Sequence, residues 1–265
     1  MNKLRISLLQ TDICWENKEY NLRRLHEKLE KLSGTTEIVV LPEMFSTGFS
    51  MNCHDLSEPV SGATMQQLCA WANHYNTAIA GSYIASERNI DSQTCYYNRA
   101  FFLTPDGKKY FYDKRHLFRM GHETECYSAG KERTVFNYLG WNIMLIVCYD
   151  LRFPVWTRNC SLEYDLLICP ASWPTPRRRA WDILLQARAL ENSCYVCGIN
   201  RIGQDGYNLH YNGGTAIYSP KAELLAHVPD AEEGHCTAEL NLEELQHFRQ
   251  KFPTWQDADR FSLEL

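Results

Sequence analysis

The sequence predicts an α/β protein, specifically a four-layer αββα sandwich of two mixed sheets flanked by helices. Three observations carry that prediction. The first third of the chain runs strand, helix, strand, helix, strand. The remainder is rich in short strands separated by Gly and Pro turns. The few helices each have a single apolar face.

Leu4-Arg5-Ile6-Ser7-Leu8 alternates as a half-buried strand does, and Asn17 is placed to cap a helix with apolar residues at Leu22, Leu25, Leu29 and Leu32. Gly34 ends that helix. Residues 37–41 read as a buried strand, 64–75 as a second helix and 77–84 as a third strand. Two hairpins follow. One turns at Pro105-Asp106-Gly107-Lys108, and the other joins 134–138 to 141–148 across Leu139-Gly140. Pro154 starts a helix expected to run towards Leu162, 165–169 is a strand, and 178–192 is a helix with Trp181, Leu184, Leu185 and Ala189 on one face. Strands are expected at 194–200, 214–219, 224–228 and 235–240, before a last helix at 242–252.

With 265 residues, 45% of them hydrophobic, the chain can bury one large core, and no Pro/Gly/Ser linker divides it. One domain over 1–241 is expected, with 242–265 as a C-terminal helix and tail. Lys and Arg total 27 against 32 Asp and Glu, a net charge of −5, which argues against a nucleic-acid partner. The apolar run Ile6–Gln10 is too short for a signal-peptide core, and no stretch approaches the ~20 apolar residues of a membrane span. A soluble, cytoplasmic protein without a membrane partner is the expectation. The cysteines number eleven, an odd count that suits reduced, buried thiols better than disulfides. Cys194 and Cys197 have motif spacing, but residues three apart in a strand face opposite ways, so no shared metal is expected.

Phosphate-binding, dinucleotide, HExxH and GxSxG motifs are all missing. Three polar residues stand instead where strands end, the place where open α/β sheets build sites. Glu43 follows the apolar strand 38–41, and the neighbours Met44, Phe45 and Phe49 would partly desolvate it, which suits a carboxylate that shuttles protons. Lys114 lies in Tyr112-Asp-Lys-Arg-His-Leu-Phe118, just after the first hairpin. Cys148 ends a hydrophobic strand ahead of Pro154. At such a strand-to-helix turn, backbone N–H groups favour both a thiolate and an oxyanion.

Alone, Glu43 reads equally well as a loop cap, Lys114 reads better as part of a solvated charged turn, and Cys148 reads better as a structural thiol. Together, in this order, they resemble the Glu-Lys-Cys constellation of the nitrilase superfamily, the carbon-nitrogen hydrolases. Supporting motifs are Leu41-Pro-Glu43, Cys148-Tyr-Asp-Leu-Arg-Phe-Pro154, Pro170-Ala-Ser-Trp-Pro174 and Gln186-Ala-Arg-Ala-Leu-Glu-Asn192. Arg119-Met-Gly-His-Glu123 and Cys148-Tyr-Asp-Leu-Arg152 look most like the omega-amidase branch, which hydrolyses the terminal amide of 2-oxo acids such as 2-oxoglutaramate.

The resemblance implies that Glu43 takes the Cys148 proton, that the thiolate attacks the amide carbon, and that Lys114 and the Tyr149 backbone N–H hold the oxyanion. It also implies an accessory glutamate, for which Glu123 and Glu125 both qualify; Glu123 fits better, seven residues before Gly130. No metal or organic cofactor is required by this chemistry. A homodimer is implied, with the segment after residue 241 near the contact. For the substrate carboxylate, Arg119, Arg152, Arg177 and Arg201 are all candidates, with Trp173 as a pocket wall. His116 is expected to make a structural hydrogen bond. The same triad serves N-carbamoyl compounds, aliphatic amides and nitriles, which stand as alternatives. A non-catalytic binding member is disfavoured because all three residues are present.

Overall fold

The structure, a computed structural model, describes residues 2–259 and 261–263. Fourteen strands and seven α-helices are found among them. The strands are β1 (Lys3–Gln10), β2 (Ile38–Val40), β3 (Ala78–Arg88), β4 (Thr94–Leu103), β5 (Lys109–Asp113), β6 (Thr134–Tyr138), β7 (Trp141–Leu145), β8 (Leu166–Ala171), β9 (Tyr195–Asn200), β10 (Ile202–Gln204), β11 (His210–Asn212), β12 (Ala216–Tyr218), β13 (Leu224–His227) and β14 (Gly234–Asn241). The helices are α1 (Lys18–Leu32), α2 (Cys53–Leu56), α3 (Ala63–His74), α4 (Glu123–Cys126), α5 (Pro154–Thr157), α6 (Arg178–Asn192) and α7 (Leu242–Lys251).

Two six-stranded mixed sheets form, in the orders β14-β1-β2-β3-β4-β5 and β13-β12-β9-β8-β7-β6. Each has three parallel strands at its centre, β1-β2-β3 and β7-β8-β9, with antiparallel strands outside them. Alternation sets the layers. On β1, Leu4, Ile6 and Leu8 face the core between the sheets, while Val39, Ile79 and Phe101 point from the first sheet towards α1 and α3. Asn17 caps α1 by accepting the Tyr20 N–H, and Leu25, Leu29 and Leu32 pack beneath it, each worth about 1.5–3 kcal/mol when fully buried. On the other side α6 lies so close to β9 that a Cβ on Gly198 would stand 2.5 Å from Leu185. The expected four layers are present.

Two local expectations change, and the C-terminal helix adds contacts of its own. The helix from Pro154 stops at Thr157, because Ser161 and Leu162 take left-handed backbone and Asn159 is bound instead to Asn192 and Tyr164. The short hairpin β10–β11 lies between the strands expected at 194–200 and 214–219, where the sequence predicts none. Helix α7 shares the main core: Leu242 and Leu245 are buried in it, and Arg249 reaches Asp165 and the carbonyl of Tyr164. The cysteines described are all free thiols; Cys194 and Cys197 are both buried, and Cys197 lies beside Cys236. No described helix is long and apolar enough to cross a membrane.

Candidate active site

The carboxyl ends of the parallel strands from both sheets meet at one cavity of about 610 Å³, whose lining includes Glu43, Lys114, Cys148, Tyr149, Arg152 and Trp173. The two sheets are joined there directly. Glu43 N–H donates to the carbonyl of Ala171 (3.4 Å), and Ser172 N–H returns a bond to Glu43 Oε2 (2.8 Å).

Glu43 follows β2 and is wholly buried. Its Oε1 accepts from Lys114 Nζ (2.9 Å) and from Asn98 Nδ2 (2.7 Å). The next residue, Met44, has φ +46°, a turn that bends the chain away while its N–H donates to Ser82 Oγ. Ser82 Oγ donates in turn to Asn98 Oδ1, so the amide of Asn98 has a fixed orientation with both N–H donors aimed at carboxylates.

Lys114 leaves β5 with its backbone N–H on the carbonyl of Asn98 (3.0 Å) and its side chain entirely buried between Glu43 and Glu123. The chain returning after α4 crosses here so closely that a Cβ on Gly130 would lie 2.0 Å from the Asp113 carbonyl, and Gly130 N–H donates to Lys114 O. Burial penalises the ammonium, but the charges of Glu123 and then Glu43 outweigh it and hold Lys114 protonated, well above its ordinary range. Glu123 also accepts the Phe118 N–H (2.6 Å); its burial, with the nearby charge of Glu43, raises its carboxyl against the pull of Lys114. Glu125 is exposed and pairs with His122, so of the two candidate glutamates it is Glu123 that meets the lysine.

Cys148 opens the 3₁₀ turn Cys148–Arg152 after β7, in the left-handed region at φ +44°, a conformation unfavourable for a residue with a Cβ. Asp150 holds the turn in place. Its Oδ2 accepts from Val147 N–H and Tyr112 OH, and its Oδ1 from His116 N–H, with His116 Nδ1 at 2.8 Å. This carboxylate thereby ties the Cys148 turn to the loop carrying Lys114, and His116, stacked on Phe153, has the structural bond expected of it. Burial first, then the charge of Glu43, push the Cys148 thiol well above its ordinary range; Lys114 opposes them. A thiol so placed needs a base at hand to become a nucleophile, and a carboxylate and a fixed ammonium border the same cavity.

The arginine candidates separate. Arg152 and Arg177 line the cavity; Arg119 is exposed outside its lining, because the turn Arg119–Gly121 and His122 at φ +59° send Glu123 inward. Arg201 is fully buried behind the wall, bound to the carbonyls of Ile13, Ile202 and Gln204. Trp173 is buried at the wall, its backbone N–H on Asn200 and its indole N–H on the carbonyl of Arg177. Three residues of this arrangement escaped the sequence reading: Asn98, Asp150 and Ser172. Asn98 had a signal, since it shares the inward face of β4 with Ala100 and Phe102, where an amide side chain is out of place unless it has partners.

Residues 5–250 match the carbon-nitrogen hydrolase family profile. The chain therefore belongs to the carbon-nitrogen hydrolases, the nitrilase superfamily. It is 41% identical to omega-amidase YafV of Escherichia coli K12, over 99% of this chain and 100% of that one. It is 32% identical to 2-oxoglutaramate amidase of Bacillus subtilis, over 96% and 97%. Among solved structures, XC1258 from Xanthomonas campestris, a CN-hydrolase superfamily protein with an arsenic adduct in its active site, superposes with a TM-score of 0.94 at 38% identity over the whole of both chains. These relatives place the chain in the omega-amidase-like branch of the family.

Proposed function

We propose that the protein hydrolyses the terminal amide of small 2-oxo dicarboxylic acid monoamides, 2-oxoglutaramate and 2-oxosuccinamate, to the 2-oxo acid and ammonia through a cysteine thioester. The observation that carries this reading is the convergence of Glu43, Lys114 and Cys148 on one cavity in a chain 41% identical to an omega-amidase.

Glu43 is the general base. It takes the Cys148 proton as the sulfur attacks the amide carbon. Lys114 and the Tyr149 N–H stabilise the oxyanion, each such donor being worth roughly 3 kcal/mol in the transition state. The tetrahedral intermediate collapses with the Glu43 proton passing to the departing nitrogen, which leaves as ammonia. Glu43 then deprotonates the water that cleaves the thioester and returns the proton to Cys148. Glu123 and Asn98 hold Lys114 and Glu43 in place, while Trp173 and Arg152 shape the substrate side of the cavity.

The protein acts in the cytoplasm as a homodimer. Exposed Val155, Ile183 and Leu190, on the helices α5 and α6 that flank the site, support a pairing face there.

Ammonia release from 2-oxoglutaramate by the wild type and Cys148→Ala, beside glutamine, a simple nitrile and an N-carbamoyl amino acid, tests the reading. Turnover of the oxo acid amide that vanishes in the variant is expected. Turnover of another compound alone would move the protein to a different substrate class of the family.

A further inference from the structure

We infer that Cys53 and Cys126 are a redox-sensitive thiol pair, which a small disulfide converts to a Cys53–Cys126 disulfide that clasps together the two segments flanking Lys114. The inference does not depend on which amide is hydrolysed.

The two cysteines are 73 residues apart in the chain and meet in space. Cys53 opens α2 and Cys126 closes α4. The Cys53 Sγ stands 3.5 Å from the carbonyl oxygen of Cys126, and the Cys126 thiol lies beside it. Both pack in one small apolar cluster with Met44, Ile84 and Tyr127, separate from the main core. Their exposure differs. Cys53 is buried, and burial, followed by the neighbouring Cys126, raises its thiol above the ordinary range. Cys126 is half-buried and lines the cavity that contains Cys148, so a molecule entering there reaches it first. An accessible thiol backed by a second, sheltered one is the arrangement of an attacking and a resolving cysteine. Cys169, Cys194 and Cys197 are fully buried and offer no such entry.

The segments that carry the pair are already held to each other. Tyr127, next to Cys126, donates its OH to the carbonyl of Ser50 and its N–H to the carbonyl of Glu123. Each segment also sets a group against Lys114. The Phe49 ring centre is 5.2 Å from Lys114 Nζ, and Glu123 pairs with the same ammonium. A bond between the two sulfurs therefore closes a covalent loop around Lys114 without recruiting a distant part of the chain.

The exchange runs in two steps. The Cys126 thiolate attacks one sulfur of the small disulfide, whose other half leaves as a thiolate, and a mixed disulfide forms. The Cys53 thiolate then attacks the Cys126 sulfur, the mixed disulfide breaks and the second half leaves. The two protein thiols lose two electrons and two protons, and the small disulfide takes up both and departs as two thiols.

The test treats the folded wild type and Cys148→Ala with 2-hydroxyethyl disulfide, then maps peptides under non-reducing conditions. A peptide pair linked through Cys53 and Cys126 is expected in both proteins, and dithiothreitol should remove it. In Cys148→Ala, where the nucleophile takes no part, the link should raise the melting midpoint by about 5–10 °C, because it closes a long loop in the unfolded chain. Cys126→Ser and Cys53→Ser, each made in the Cys148→Ala background, should show neither the link nor the rise, and Cys53→Ser should stop at the mixed disulfide on Cys126. The inference is overturned if Cys126 does not react, if it remains a mixed disulfide while Cys53 is present, if the wild type links Cys126 to Cys148 instead, or if the Cys53–Cys126 link leaves the melting midpoint unchanged.

Discussion

In each sheet three parallel strands are flanked by one antiparallel strand on one side and two on the other, yet the two sheets supply different things to the cavity. From the first come Glu43, Lys114 and Asn98, all buried and interlocked by hydrogen bonds. From the second come Cys148, in a left-handed turn, and the walls Ser172 and Trp173. Charges deep in one sheet can be held rigid because every partner is built in. Cys148 instead borders open space, and its position is fixed by backbone geometry and by Asp150. The chemistry arises only where the two kinds of support meet.

Substitutions can probe each side of that division. The largest effect within the first sheet should come from Glu43→Gln, which keeps the shape and removes the base. A fall in kcat of about 10²–10⁴-fold for 2-oxoglutaramate is expected, and a kcat within tenfold of wild type would remove Glu43 from the proton transfers. Lys114→Met should lower kcat by about 10²–10³-fold. It should also destabilise the fold by about 3–5 kcal/mol in a denaturant titration, because Glu43 and Glu123 would then face each other without a cation.

On the second sheet, Asp150→Asn should reduce kcat about tenfold to a hundredfold while Cys148 remains present. Its amide would set an N–H against donors that Asp150 now satisfies, at about 1–3 kcal/mol. Unchanged kinetics would mean that the Cys148 turn holds itself. The smallest effect concerns alkaline pH. Burial raises the thiols of Cys148, Cys169 and Cys197 well above 9.0 in the folded chain, so above about pH 9 the unfolded chain loses thiol protons that the folded one keeps. The contribution of these thiols to stability is fully present below that pH and falls as pH rises. Cys197→Ala should therefore flatten the decline in unfolding free energy between pH 9 and 11 by up to about 1.4 kcal/mol per pH unit. An unaltered slope would show that this thiol ionises in the folded protein.

The division between the sheets also explains what the sequence could tell. Residues that end strands inside local motifs, Glu43, Lys114 and Cys148, were legible because their flanks are contiguous in the chain. Most strands and α6 were legible from periodicity. The four candidate arginines could not be told apart in the sequence, because whether Arg119 reaches the cavity depends on the left-handed residue His122, which turns the path after it. Asn98 and Asp150 act across 55 and 38 residues, on Glu43 and on Tyr112 respectively, and such pairings have no local pattern. The truncated helix after Pro154 depends likewise on a distant residue, Asn192, claiming Asn159.

The bonds joining Glu43 to Ala171 and Ser172 have a mechanical consequence. They act as a rivet between the sheets, placed at the spot where bonds are made and broken. One sheet cannot slide over the other without shearing the rivet, so the enzyme has no hinge to open through its middle. Heat should therefore abolish catalysis in the same step in which it melts the whole domain.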